Sequence, residues 1–271
     1  MKTFLVPVDF SDTSKNAAEY AAQLTTDITD AKIILYNVYD KIIFSTSRDI
    51  EQNSRKNIAE NELNELKASL PVSDKATVST VAEEGSLVEN IEKFVAHNSV
   101  DIIIMGITGS SRIKQVFMGT NTLNVMRHLN TPLMIVPPDA KFHGLKNVVF
   151  TSDFKDVANT TPFASLKAIL DLFNPNLHIV NVDAEHYVEL TEEYKKERAV
   201  LAEQLQSYTP EFYFLRTYDF VDGIDLFVGT HSIDAIITVP KKHNFLSQLF
   251  VITHTKKLAY HSHLPIIAIH V

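Results

Sequence analysis

The chain contains itself twice, and that repeat constrains its fold more than any other feature. Leu5-Val6-Pro7-Val8-Asp9-Phe10-Ser11-Asp12 returns as Val149-Phe150-Thr151-Ser152-Asp153-Phe154-Lys155-Asp156 at an offset of 144. Tyr36-Asn37-Val38 falls on Val180-Asn181-Val182 at the same offset. Further on, Asn90–Val95 matches Gly223–Val228, Ser99–Ile104 matches Ser232–Ile237, and Pro132–Ile135 matches Pro265–Ala268, all at offset 133. The second copy is therefore 11 residues shorter, with the loss confined between Val38 and Asn90. Chance does not produce so many coincidences at two offsets, so the 271 residues form a duplicated domain.

Within a copy, strands and helices alternate. Short Val- and Ile-rich runs at Phe4–Val8, Lys32–Val38, Thr77–Ala82, Asp101–Met105 and Leu133–Val136 predict strands buried on both faces. Their counterparts are Val148–Thr151, His178–Val182, Phe212–Thr217, Ala235–Val239 and Ile266–Ile269. Between them lie amphipathic stretches, with Ala17, Ala21 and Leu24 on one face and Leu87, Ile91, Phe94 and Val95 on another. Ile58, Leu63, Leu66 and Leu70 line one side of a charge-rich helix. Ser11 suits the cap of the first helix, and Thr120 or Asn121 that of the fourth. Such alternation means right-handed crossovers and an α/β fold: two tandem doubly wound parallel sheets of about five strands each. The predicted domains are 1–138 and 145–271, with Pro137-Pro138 through Gly144 as linker.

Composition narrows the function classes. With 25 basic and 33 acidic residues, the chain carries a formal charge of −8, which argues against sequence-independent nucleic-acid binding. The lack of cysteine excludes disulfides, Fe–S clusters, Cys₄ zinc sites and a thiol nucleophile. The first eight residues are too short an apolar run for a signal-peptide core, and no run reaches the length of a membrane span. A soluble cytoplasmic protein is the expectation.

In open α/β sheets, ligands bind beyond the carboxyl ends of the strands where strand order reverses. Two segments should meet there: Pro7–Ser11, leaving the first strand, and Gly106–Thr122, leaving the fourth. Three of the four glycines in the first copy fall in the second segment. Gly119-Thr120-Asn121-Thr122 opens a helix whose free N–H groups and dipole favour phosphate, and the Thr120 and Thr122 hydroxyls add donors. Asp9 is placed to accept hydrogen bonds from a base or ribose. For the glycines alone, a tight turn followed by a helix cap is an equally good reading.

The spacing Gly106-x2-Gly109-x9-Gly119-Thr120 resembles the nucleotide-binding pattern of the universal stress protein family, in its ATP-binding branch. Val6–Ser11 resembles that family's opening strand, and Leu129–Val136 its closing one. Both halves carry the likeness, so the chain looks like a tandem universal stress protein. The resemblance implies a Rossmann-like strand order 3-2-1-4-5, and pairing of domains through their last strands. It places Pro7, Val8 and Asp9 at adenine and ribose, Val38 beside the base, and Met105 and Gly106 along the nucleoside. Gly109, Gly119, Thr120, Asn121 and Thr122 would hold phosphates. The implied ligand is ATP or AMP, with or without Mg²⁺. The implied partners are this nucleotide and an unidentified protein. The expected assembly is a pseudo-dimer within one chain, with a homodimer of chains as a further form.

The second copy departs from this pattern. Gly106, Gly109 and Gly119 become Val239, Lys242 and Ile252; Thr253 persists, as does Asp153. Branched side chains stand where backbone should approach phosphate, so this copy is expected not to bind ATP. Eight of the 11 histidines lie here, among them His243, His254, His261 and His263, but no four-ligand zinc spacing appears. Lys241 and Lys242 read as a solvated basic loop. Phe245, Leu246, Leu249 and Phe250 read as core packing, with an interface as the alternative. There is no Gly-x-Ser-x-Gly elbow and no P-loop Gly-Lys-[Ser/Thr], so no catalytic residue is assigned. Two function classes remain: a nucleotide-binding stress or regulatory protein without efficient turnover, and a slow ATP-hydrolysing or nucleotidyl-transferring enzyme of a related fold.

Overall fold

The computed structural model describes residues 1–40, 48–107, 120–183, 191–216, 220–240 and 264–270. They fall into two units, Met1 to Phe142 and His143 to His270. In the first, β1 (Lys2–Pro7), α1 (Asp12–Leu24), β2 (Ala31–Tyr39), α2 (Arg48–Ser69), β3 (Ala76–Glu84), α3 (Leu87–His97), β4 (Ile102–Gly106), α4 (Thr120–His128) and β5 (Leu133–Val136) follow in order. The strands are parallel and lie in the order β3-β2-β1-β4-β5. The second unit holds β6 (Asn147–Thr151), α5 (Val157–Thr160), α6 (Phe163–Phe173), β7 (Asn176–Asp183), α7 (Glu192–Gln204), β8 (Glu211–Arg216), α8 (Phe220–His231), β9 (Ala235–Thr238) and β10 (Ile266–Ala268). Its order, β8-β7-β6-β9-β10, is again 3-2-1-4-5 counted within the copy.

The central strands carry the core. Phe4, Leu5 and Val6 of β1 are fully buried, as are Ile102, Ile103 and Ile104 of β4. Burial of each such side chain contributes roughly 1.5–3 kcal/mol. Alanines 17, 18, 21 and 22 bring the α1 backbone close to the sheet. An aspartate staples the start of the first strand to the fourth in both copies: Asp101 accepts from the Thr3 N–H at 2.7 Å, and Asp234 from those of Lys146 and Asn147 at 2.7 and 2.9 Å. This explains why the aspartate repeats.

Four details differ from expectation. β3 is half-exposed along most of its length rather than buried on both faces, because it is the edge strand. Ile58 points to solvent at 60% exposure, and Ala59 takes the buried place beside Leu63, Leu66 and Leu70. The expected linker begins as part of the first unit: the Asn16 amide donates to the Pro137 and Ala140 carbonyls, and Phe142 packs edge-on against Tyr20. The boundary therefore moves from 138 to 142. In the second copy the first helix is split into α5 and α6, because Pro162 lacks an N–H and holds Thr161 extended.

Candidate functional site

Strand order reverses between β1 and β4, and a cleft opens there at the carboxyl ends of the strands. Its cavity volume is about 110 Å³. Of the residues singled out from sequence, Pro7, Val8, Asp9, Val38, Met105, Gly106, Asn121 and Thr122 line it together. Thr120 lies exposed at the start of α4, and Gly109 and Gly119 lie outside the described residues. Ser11, Thr13, Ser14 and Leu87 also line the cleft. Sequence reading placed Ser11 at the end of the segment that reaches the crevice and as a helix cap, without a ligand role, and Leu87 only on an apolar stripe. The signal for Ser11, Thr13 and Ser14 was their position in the first strand-to-helix turn, which this fold always aims at the crevice.

Asp9 is held ready to accept. Its Oδ1 takes hydrogen bonds from the Ser11 N–H at 3.1 Å and the Ser11 hydroxyl at 2.5 Å. Partial burial pushes its pKa up, but bonds from Ser11 and Ser14 outweigh this and hold it below the ordinary aspartate value. The carboxylate is ionised at neutral pH. Ser11 also caps α1 through the Ser14 N–H, and its hydroxyl meets that of Thr13 at 3.1 Å. Phe10, between Asp9 and Ser11, has a left-handed backbone (φ 64°), and so does its counterpart Phe154 (φ 49°). An aromatic residue there costs of order 1–2 kcal/mol, and both copies bear it to turn the chain after the aspartate.

Gly106 and Thr122 form the joint between β4 and α4. A Cβ on Gly106 would lie 2.4 Å from the Thr13 carbonyl oxygen, so this glycine is required by the packing of α1. The Thr122 side chain is buried and donates to the Gly106 carbonyl at 3.2 Å. Its one proton is thus directed at that carbonyl. Thr120 and Asn121 are also both helical residues of α4, so neither is its cap.

The second unit keeps the aspartate turn of this arrangement and alters the rest. Asp153 accepts from the Lys155 N–H at 3.2 Å, as Asp9 does two residues along. Asn37 donates to the Val8 carbonyl at 2.8 Å, and Asn181 to the Ser152 carbonyl at 2.9 Å. Where the first unit has Pro7 and Met105, however, Thr151 and Thr238 are hydrogen-bonded to each other at 3.0 Å and buried. Val239 replaces Gly106 in the unit whose first helix is split. His243, His254, His261 and His263, with Lys241, Lys242, Ile252, Thr253 and the Phe245–Phe250 group, lie outside the described residues. His178 and His231 are in an aromatic cluster with Tyr213 and Phe227, ring centroids 4.0–6.0 Å apart. Among the described residues, no group of three or more His, Asp or Glu is gathered to hold a metal ion.

Comparison with known proteins agrees with this architecture. The universal stress protein MJ0577 of Methanocaldococcus jannaschii is 30% identical over 155 residues, which is 50% of this chain and 94% of that protein. MJ0531 of the same organism is 23% identical over 145 residues, 52% of this chain and 84% of that one. Across the whole length, a universal stress protein structure from Archaeoglobus fulgidus superposes with a TM-score of 0.68 at 17% identity. It covers 99% of this chain and 98% of its own, a likeness of fold. The model of the universal stress protein family matches residues 1–137. With the strand order, the duplicated Asp-Phe turn and that match, the chain belongs to the universal stress protein family.

Proposed function

We propose that the first unit binds an adenine nucleotide, ATP or AMP, and that occupancy of this site changes how the protein meets a partner in a stress or regulatory response. The observation that carries the proposal is the convergence of β1, β2, β4, α1, α3 and α4 on one cleft with both apolar and polar lining. Pro7, Val8, Val38, Leu87 and Met105 supply apolar surface suited to a flat ring. Asp9, Ser11 and Thr13 supply an acceptor and hydroxyls suited to a sugar. A cavity of about 110 Å³ is well below the roughly 300–1,000 Å³ of complete small-molecule sites, so it suits the nucleoside end of a larger ligand. Thr120, Asn121 and the opening N–H groups of α4 are the groups we assign to phosphate, with Gly109 and Gly119.

Fast turnover is not part of this reading. Phosphoryl transfer needs a positioned metal and a group that orients the nucleophile. Asp9 is the one carboxylate among the described lining residues, and it is already tied to Ser11. We also place the protein in the cytoplasm; among the described residues no helix is long and apolar enough to cross a membrane. β5 and β10 are each the outermost strand of their own five, and pairing of those edges is the assembly we propose. Halves cut near Gly144 should then associate or aggregate, and two well-behaved monomers would count against the pairing.

The test is calorimetric titration of the full chain with ATP·Mg²⁺ and with AMP, followed by a single-turnover hydrolysis assay. One site per chain and turnover far below the enzymatic range of about 1–10³ s⁻¹ are expected. Turnover within that range, abolished in Asp9→Asn without loss of binding, would place the chain among enzymes.

A further inference from the structure

Behind the apolar wall of the cleft lies a small polar network with no duty in the contacts described so far. Tyr36 of β2 is fully buried and donates its hydroxyl to Glu83 Oε2 of β3. Asn90 of α3 donates to the same Glu83 oxygen at 3.2 Å and to the Glu84 carbonyl at 3.0 Å. Its Oδ1 lies where a Cβ on Gly85 would come within 2.9 Å, and Gly85 has φ +134°. Asn90 therefore grips the Gly85-Ser86 turn, which delivers Leu87 to the cleft three residues before it. Tyr36 stands two residues before Val38 on the same face of β2, and Val38 is another of the apolar lining residues.

The internal repeat supplies the decisive comparison. By strand register and offset, Tyr36, Glu83 and Asn90 correspond to Val180, Leu215 and Gly223. All three are lost in the copy that also lost the phosphate-side glycines. A network needed only to hold this fold together would have no reason to vanish there, since the second unit reaches the same strand order without it.

We infer that Tyr36, Glu83 and Asn90 are positioning residues for base recognition, which hold Leu87 and Val38 at the spacing that grips the adenine ring. The inference rests on the nucleotide reading above. Buried hydrogen-bonded side chains of this kind fix geometry because each lost partner leaves another unsatisfied. Both bonds to Glu83 fall on one oxygen, so a glutamine can keep them and a methionine cannot.

The experiment titrates the full-length protein and its Glu83→Met, Asn90→Leu and Glu83→Gln variants with adenosine, AMP and ATP, alongside hydrogen exchange at residues 85–87. Glu83→Met and Asn90→Leu should weaken all three ligands by the same factor, about tenfold, because the base is common to them. Exchange at residues 85–87 should quicken in both variants, and Glu83→Gln should restore affinity and protection. A merely structural role would lower the melting temperature but leave affinities measured below it unchanged. If the parent chain binds nucleotide and the Met and Leu variants bind equally well, or lose only ATP, the inference is overturned. A parent chain that binds neither adenosine nor ATP overturns the nucleotide reading, and this inference with it.

Discussion

The two halves of this chain share a topology and differ at one end of it. Both staple their first and fourth strands with an aspartate, both turn through Asp-Phe with the aromatic residue left-handed, and both tie an asparagine to the carbonyl preceding that aspartate. In the first half the strand ends open into a cleft beside an ionised Asp9. In the second, Thr151 and Thr238 close on each other, and the helix above is split at Pro162. The difference teaches that the scaffold is maintained by contacts at the strand starts and in the core, so the strand ends can be changed without losing the fold.

The largest test of that contrast puts the second copy's residue into the first. Gly106→Val forces a side chain against the Thr13 carbonyl, and overpacking of this kind costs about 1–3 kcal/mol. ATP affinity in calorimetry should fall at least ~100-fold, with a lower melting temperature; a variant that still binds normally breaks the comparison.

Acid should separate the halves next. The folded-state pKa of Asp9 is lowered, so its contribution is present above the unfolded value near 3.9 and is lost only as pH falls through the folded value. Burial lowers the pKa of His178, with His231 adding to this and Glu211 opposing it, and burial lowers that of His270. The unfolded chain then takes up those protons first. The stability these neutral histidines contribute is present above about pH 6.5 and is lost as pH falls below it. Hydrogen exchange at pH 7 and 5.5, corrected for intrinsic rates, should show the second unit losing protection and the first keeping it. His178→Gln should blunt the loss. Equal loss in both units would remove the distinction.

A moderate effect is expected from Ser11→Ala, which removes the cap of α1 and the hydroxyl on Asp9. Stability should drop by about 1 kcal/mol. The pKa of Asp9 should move up towards its ordinary value, as read by NMR titration of its carboxyl carbon. The second unit has Lys155 in that place; an Asp9 pKa unmoved by the substitution would show that the serine hydroxyl is not what holds it low.

Thr122→Val should do least to binding. Loss of the bond to Gly106 should cost about 1 kcal/mol of stability, while ATP affinity stays within about threefold. A large affinity loss at unchanged stability would place Thr122 on the phosphate side.

Much of this protein was legible before its tertiary structure. The offsets of 144 and 133 disclosed the duplication, because two copies under the same folding constraint retain their strand and turn patterns. Val- and Ile-rich runs in the first copy, with the repeat for the second, located the ten described strands to within a few residues; the central ones are apolar throughout because they are buried on both faces. Pro7, Asp9 and Gly106 were found because they sit at strand ends, where the fold fixes the position of the crevice, and Met105 came with the family resemblance. Tertiary packing alone decided the rest. Nothing in the spacing tells that Gly106 is demanded by the α1 backbone, that the Thr122 hydroxyl is directed at Gly106, or that Asn90 reaches back to Glu83 across the Gly85 turn. Each depends on which atoms approach across elements distant in the chain, and local sequence pattern records burial and period but not the partner on the other side.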